Sequence, residues 1–383
     1  MAGLYLHIPF CEHKCLYCDF YSIAPDGKRT DYEQLIRRFL AALSQEVSLR
    51  GADPQFLDRY DTVFFGGGTP SLLSPSNISE ILGSLAGRFQ ISDDAEVTLE
   101  TNPGTVDLDK LRAFRRAGIN RLSIGIQSFH EDDLKFLTRI HSAQQARECV
   151  KSAAEAGFDN ISIDLIFSLP GQTLERWESN LQQALALDPK HLSCYSLIVE
   201  PKTPLWRLVE TKQVTPLNPE ADNELYQFTI KYLKDRGFEQ YEVSNFALPG
   251  YRSRHNSNYW NHSNYLGLGP SAHSFWNGKR WWNIANVNGY AEKLEHTSLP
   301  VSGEEQLSAE QLRDEEIFLG LRSSGLDVGG FLQRHKRDLV AEHRNLVDDL
   351  LSTELAAFDG RILRLTPKGY AVCDEICGSF LQC

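Results

Sequence analysis

Over roughly the first half of this chain, short runs rich in β-branched and aromatic residues alternate with longer stretches of helical periodicity. The runs at Leu4–Ile8, Asp61–Phe65, Glu96–Leu99, Arg121–Ile126, Asn160–Ile166 and His191–Val199 predict strands. Between them, apolar positions recur three and four apart over Tyr32–Leu49, Ile78–Phe89, Asp109–Ala117, Ala143–Ala156 and Leu174–Ala186, which predicts amphipathic helices. Ala117-Gly118 and Ala156-Gly157 each mark a helix end followed closely by a strand, because glycine readily takes the left-handed conformation of a helix C-cap. Repeated βα units predict a parallel sheet with helices outside, either an open doubly wound sheet or a partial barrel.

From about Leu208 the pattern changes. A helix over Glu220–Lys234 leads into a stretch between Tyr241 and Asn288 that is rich in Asn, Gly, Tyr, Trp and His, too aromatic for a linker. The polar segment Glu295–Gln306 reads as a boundary. Beyond it, helical patterns and the short element Arg361–Leu365, followed by Thr366-Pro367-Lys368-Gly369, predict a small helical domain with a hairpin or wing. The expected division is therefore 1–208, 209–298 and 299–383. A winged domain can bind DNA, but the acidic runs Asp314-Glu315-Glu316 and Asp348-Asp349 oppose that reading.

Composition narrows the function classes. The chain has 383 residues, 42% of them hydrophobic, enough for a large core. Its formal net charge of -12 argues against a broad grip on nucleic acid or anionic lipid, both of which need a basic surface. No apolar run approaches the roughly 18 residues of a membrane span, and no basic-then-apolar signal region opens the sequence, so the cytoplasm is the expected location.

Eight cysteines could form disulfides in a secreted protein, yet three crowd into Cys11-Glu-His-Lys-Cys15-Leu-Tyr-Cys18, while Cys149, Cys194, Cys373, Cys377 and Cys383 are scattered. Three soft thiolates in a loop after the first strand suit iron-sulfur chemistry or zinc. A structural zinc would need a fourth ligand, for which His7, His13 or Asp19 could serve. Three ligands on a cubane would instead leave one iron open to a small molecule. Simple unligated cysteines are the third alternative.

Polar residues at strand ends supply candidate partners for such a molecule. Gly66-Gly67-Gly68-Thr69-Pro70 follows the second strand, where missing side chains let backbone groups approach a ligand. Glu100 ends the third strand and Gln127 the fourth, and Asp164 sits in the fifth. One rim of a βα barrel is where such residues converge on chemistry. Singly, each reads more readily as a helix cap or a solvated loop residue, and their shared location is what counts against that. The run Gly267-Leu-Gly269-Pro-Ser-Ala272 fits a dinucleotide fingerprint by letters, but Pro270 and the lack of a preceding β-rich run argue against nicotinamide binding.

The C-x-x-x-C-x-x-C spacing resembles that of the radical S-adenosylmethionine enzymes. This resemblance implies a partial (β/α)6 TIM-like barrel with a small, mainly helical C-terminal domain. It also implies a 4Fe-4S cluster on Cys11, Cys15 and Cys18 whose open iron chelates S-adenosylmethionine, with one electron releasing a 5'-deoxyadenosyl radical. Tyr5-Leu-His-Ile-Pro-Phe-Cys11, Asp164-Leu-Ile-Phe-Ser-Leu-Pro-Gly171 and the C-terminal region look most like the branch containing oxygen-independent coproporphyrinogen III oxidases and HemW-type haem chaperones. In that branch the positions of Tyr5, Gly67, Gly68, Thr69, Glu100, Gln127, Arg139 and Asp164 line the S-adenosylmethionine pocket, Glu100 on the ribose and Arg139 with the carboxylate. Ser168 departs from the usual glycine.

The oxidases carry a further cysteine two positions after the third, where this chain has Phe20, and they begin with a longer extension before the cluster. Both differences favour the haem chaperones over coproporphyrinogen III dehydrogenation. The resemblance then implies haem as cargo, a reducing donor such as flavodoxin or ferredoxin, and a haem-accepting respiratory protein. His255-Asn256-Ser257-Asn258-Tyr259-Trp260 matches the branch's second signature, and Tyr265-Leu-Gly-Leu-Gly-Pro-Ser-Ala-His273 follows it. Haem iron takes His, Cys, Met or Tyr axially, and the single Met is the initiator. His255 is thus the leading expected haem ligand, with Tyr259 and His273 behind it. A hydrogen-bonded structural histidine is the alternative.

Overall fold

The structure is a computed structural model that describes residues 2–25 and 29–381. Cys383 lies outside them. Six strands run parallel in chain order: β1 (Ala2–Ile8), β2 (Arg59–Gly67), β3 (Gln90–Thr101), β4 (Arg121–Gln127), β5 (Asn160–Phe167) and β6 (His191–Ser196). The helices between them are α1 (Arg29–Gly51), α2 (Pro75–Ala86), α3 (Leu108–Ala117), α4 (Glu131–Phe136), α5 (Ala143–Glu155) and α6 (Leu174–Leu185). Of the two arrangements that the alternating pattern allows, this is the partial barrel, the one that the family resemblance implies.

Local chemistry explains the helix limits. Ser74 and Ser142 form capping boxes with Asn77 and Gln145 at the starts of α2 and α5, each satisfying amides that have no partner within the helix. Gly118 and Gly157 take φ of 113° and 89° after α3 and α5, as the Ala-Gly pairs predict. β3 starts earlier than its apolar run because Gln90 and Ile91 pair with Arg59 and Tyr60 of β2 across a bulge. Its polar outer end carries no hydrophobic signal. β6 stops at Ser196 rather than Val199, since its partner β5 ends opposite, at Phe167.

The aromatic stretch is no separate extension. After α7 (Pro204–Glu210) and α8 (Pro219–Lys234), β7 (Glu239–Gln240) and β8 (Asn245–Ala247) extend the sheet, β8 pairing antiparallel with β6 and β7 antiparallel with β8. Helix α9 (Arg254–Trp260) follows, and β9 (Tyr265–Leu268) then pairs parallel with β1 on the other edge. β10 (His273–Trp276) and β11 (Lys279–Asn283) come next, then α10 (Val287–Glu295) and β12 (Val301–Gln306), and the completed sheet has 12 strands. β9 corrects the expectation that no strand precedes Gly269. The dinucleotide reading fails on a different ground: a Cβ on Gly269 would lie 2.5 Å from the His7 carbonyl oxygen, so this glycine serves protein packing. The polar segment expected as a boundary is also corrected, for its second half is β12, paired with β11. An edge strand with solvent on several sides reads as a linker by hydropathy.

A second apolar core begins in α11 (Ala309–Leu321), where Ile317 and Leu321 meet Phe331, Leu350, Leu363 and Phe380. It is built from β13 (Leu326–Asp327), α12 (Val328–His335), α13 (Leu339–Glu342), α14 (Arg344–Ser352), β14 (Ala356–Phe358), β15 (Ile362–Leu365), α15 (Pro367–Tyr370) and α16 (Cys373–Leu381). β15 is the central strand of a three-stranded antiparallel sheet, giving the expected hairpin. Cys149, Cys194, Cys373 and Cys377 are buried free thiols.

One buried carboxylate ties the added strands to the barrel. Glu46 of α1 is 0% exposed and accepts from the Gly269 amide at 2.9 Å, the Asn283 side-chain amide at 2.8 Å and the Tyr290 hydroxyl at 2.7 Å. Replacing Glu46 with Ala strands three buried donors and leaves Arg50 without its carboxylate. It should cost roughly 3–5 kcal/mol, read as a fall in the denaturation midpoint; a variant within about 1 kcal/mol of wild type would remove this clamp from the account.

Candidate functional site

The loop after β1 carries the three cysteines and is tied down at both ends. The Cys11 amide donates to the Ile23 carbonyl (2.9 Å), the Ile23 amide to Pro9 (2.7 Å), and the Tyr32 hydroxyl to the Cys11 carbonyl (2.9 Å). Across the barrel, the Leu16 amide donates to the Thr138 hydroxyl (3.0 Å) and the Leu205 amide to the Leu16 carbonyl (3.0 Å).

The turn after β2 packs directly on this loop. The Gly68 amide donates to Ile8 at 2.8 Å and the Thr69 amide to Phe10 at 2.7 Å. A Cβ on Gly68 would stand 2.7 Å from the Phe10 carbonyl oxygen. Gly67 has φ 104°, and a Cβ there would meet the His7 ring at 2.7 Å. Both glycines are thus required by contacts inside the protein, which sharpens the sequence argument that they serve approach to a ligand.

The thiols face one cavity of about 540 Å³ at the C-terminal ends of the strands. Gly67, Gly68, Thr69, Glu100, Gln127, Arg139 and Asp164 line it with the three cysteines. Tyr5 does not. Its ring lies against both Phe64 and His255, and its hydroxyl meets His7 Nδ1 at 3.1 Å.

Asn102 is the organising residue that the sequence reading missed. Its side-chain amide donates to the Thr69 hydroxyl (2.8 Å), which donates to Cys11 Sγ (3.6 Å), and its oxygen accepts from Arg139 (2.6 Å). Arg139 also donates to the Gly125 carbonyl (2.6 Å) and to Cys15 Sγ (3.6 Å). The available signal was its place beside Glu100 in a strand-end Asn-Pro. Gln127 sits at a bulge between β4 and β5 with φ 70°, a left-handed backbone that side chains seldom adopt. Ser168 has φ 61°, the conformation glycine takes more easily, and its hydroxyl is held by Asp222.

Two carboxylates share the floor. Burial, with Asp164 beside it, pushes Glu100 up to about 8, against the opposing pull of the Gly67 amide and Arg121. Burial raises Asp164 as well, but hydrogen bonds from Ser193, Ser123 and Ser162 and the charge of Arg121 oppose the shift. Two adjacent carboxyls in one site ionise unequally, so Glu100 keeps the proton.

The three thiols line one cavity, and Thr69 and Arg139 donate to the Cys11 and Cys15 sulfurs, the kind of polar support that thiolate ligands of a cluster would receive. Among the described residues no three His, Cys, Asp or Glu side chains converge closely enough to hold one metal ion. A cubane asks for something else, three thiolates each approaching a different corner.

The expected haem ligands lie apart. His255 is 1% exposed; its Nδ1 meets the Thr62 hydroxyl at 2.8 Å, its Nε2 the Tyr259 hydroxyl at 2.9 Å, and its ring stacks on Phe64. Its amide and that of Arg254 donate to the Glu96 carboxylate, fastening the start of α9 beneath the barrel. Burial, then Arg121, pushes it down to about 3, so it is a neutral structural residue. Both ring nitrogens of this leading haem candidate are engaged, and an iron would have to displace one of these partners. The Tyr259 hydroxyl is the same contact seen from the other side. His273 is exposed and stacks on Trp282, near His7 at the cluster end of β1 and away from α9.

Residues 5–184 match the family model of the radical SAM superfamily, and residues 307–372 match that of the HemN C-terminal domain. The chain is 36% identical to the heme chaperone HemW of Bacillus subtilis over 100% of its own length and 99% of that relative's. It belongs to the HemW family of radical S-adenosylmethionine proteins. The heme chaperone HemW of Escherichia coli is 40% identical over 71% of this chain and 69% of that protein. The mitochondrial radical S-adenosyl methionine domain-containing protein 1 of mouse is 35% identical over 98% of this chain and 86% of its own. Among solved structures, coproporphyrinogen III oxidase (HemN) from Escherichia coli superposes with a TM-score of 0.83 at 26% identity, covering 99% of this chain and 89% of that one. Membership of the radical SAM superfamily implies a 4Fe-4S cluster and S-adenosylmethionine for this HemW-family chain.

The Glu100 shift has a measurable sign. An acid whose folded pKa is raised stabilises the fold fully below its ordinary value, near 4.5, and loses that contribution as pH rises towards about 8. Glu100→Gln removes the loss. Without ligand, its melting temperature should exceed wild type by roughly 1–3 °C at pH 8, the gap closing towards pH 5. A gap independent of pH would mean that Glu100 is already ionised.

Proposed function

We propose that Cys11, Cys15 and Cys18 hold the 4Fe-4S cluster, that the adjoining cavity binds S-adenosylmethionine, and that the chain carries haem to an acceptor protein. When bound, the cluster would supply a single electron, and a cubane held by only three cysteines would keep one iron free for S-adenosylmethionine. Arg139, braced by Asn102 and the Gly125 carbonyl, is the cation suited to that carboxylate. Protonated Glu100 can donate to a ribose hydroxyl, and Gln127 and Asp164 offer polar contacts beside it.

The haem reading rests on the full-length likeness to relatives named heme chaperones, at 36% identity against 26% for the oxidase structure. Phe20 supports it: the ring is 63% exposed at the cavity mouth where the oxidases have a cysteine. The fold likeness to HemN keeps coproporphyrinogen III dehydrogenation as the competing reading. A small reducing protein such as flavodoxin or ferredoxin as donor, a respiratory haem protein as acceptor, and a cytoplasmic location complete the proposal. Among the described residues no helix is long and apolar enough to cross a membrane.

Incubating the anaerobically reconstituted protein with coproporphyrinogen III should yield no protoporphyrinogen IX, while haem titration gives a saturable Soret change. Formation of protoporphyrinogen IX would overturn the chaperone reading. Cys15→Ala should abolish the iron-sulfur absorbance near 400 nm (approximate); an unchanged spectrum, or stoichiometric zinc in its place, would overturn the cluster assignment.

A further inference from the structure

A second cavity, of about 390 Å³, opens at the opposite end of β1 from the cluster, between the barrel and the C-terminal domain. The register fixes this separation: Tyr265, on its wall, pairs with Gly3 at the start of β1, whereas Gly67, on the cluster cavity, pairs with Ile8 at its end. The size lies within the roughly 300–1,000 Å³ that organic ligands occupy.

Its lining is unlike that of the cluster cavity. Tyr259, Tyr265 and Phe275 come from the barrel side and Phe318 and Leu319 from α11. The rings of Tyr259 and Tyr265 meet edge to face at 4.7 Å, and Phe318 is 36% exposed. Aromatic walls from two domains suit a flat, largely apolar ligand.

Within these walls stands His262, in the turn after α9, its ring stacked on Phe275 at 4.4 Å. Nε2 lies 3.0 Å from the Glu315 carboxylate of α11, close enough for an ion pair but not aligned for a hydrogen bond. Glu315 is itself held by Arg280 through both oxygens, at 2.8 and 2.7 Å. A carboxylate beside an imidazole orients the ring, a common support for a metal-ligating histidine, and here Glu315 opposes the larger downward pull of burial on His262. His255 lacks that arrangement, because hydroxyls occupy both its nitrogens.

We propose that this cavity is the haem seat, with His262 as axial ligand, Glu315 and Arg280 as its positioning residues, and Tyr265, Phe275 and Phe318 flanking the macrocycle. The inference rests on the haem-binding reading above and names its site. It sets haem at one end of the barrel and the cluster at the other, and makes α11 one wall of the seat. The C-terminal domain thereby takes part in holding the cargo.

The test is hemin titration of the full chain, followed by the Soret band, for wild type, His262→Ala and Phe318→Glu. His262→Ala should weaken binding roughly tenfold or more and shift the band, and added imidazole should restore it, which a merely structural histidine would not allow. Phe318→Glu, a change at a partly exposed position, should weaken hemin binding by a similar factor. Both variants should keep the iron-sulfur absorbance of wild type, which checks that they fold. If wild type binds hemin and both variants match it in affinity and band position, this site is wrong while the haem reading stands. If wild type itself gives no saturable Soret change, the haem reading fails and this site with it.

Discussion

The close packing of the β2 turn against the β1 exit loop is the constraint on which the rest depends. Gly68 and Thr69 donate their amides to the carbonyls of Ile8 and Phe10, and there is no room for a Cβ at Gly68. That contact sets the height of Cys11 above the sheet. It also brings the Thr69 hydroxyl to Cys11 Sγ and, through Asn102, links the cysteine loop to Arg139 and Cys15. A glycine turn here acts less as a ligand cradle than as a spacer that lets two loops share one surface.

Below this layer the barrel interior is polar, and its charges are unevenly matched. Arg121 is 1% exposed and bears on Glu100, Asp164, His191 and His255 together. It favours ionised carboxylates and neutral imidazoles. His191 bridges the Ser162 and Tyr241 hydroxyls, and His255 bridges those of Thr62 and Tyr259. Buried groups that satisfy one another in this way specify one arrangement of strands, since a slipped register would leave several unpaired at once. The interior therefore joins the cavity floor to α9 without offering either histidine to a ligand.

The two ends of β1 carry different chemistry. The C-terminal end gathers thiols, carboxylates and a guanidinium around one cavity. The N-terminal end gathers aromatic rings and a carboxylate-backed histidine against the second domain.

The sequence by itself determined the six βα units, the glycine ends of α3 and α5, and the cysteine loop. Local periodicity, capping residues and C-x-x-x-C-x-x-C spacing act over a few residues and survive without knowledge of distant contacts. The rim residues Glu100, Gln127 and Asp164 were legible for the same reason, each being read from its own strand. Only the tertiary structure decided the rest. β9 and β12 carry weak hydrophobic signals and exist because β1 and β11 offer them partners. Asn102 matters through Thr69 and Arg139, which lie far from it in sequence. His255 and His262 stand seven positions apart with similar neighbours, yet one is sealed between Thr62 and Tyr259 while the other faces a cavity beside Glu315. Which histidine a ligand can reach depends on burial and on partners brought in from other elements, and one-dimensional spacing holds no record of either.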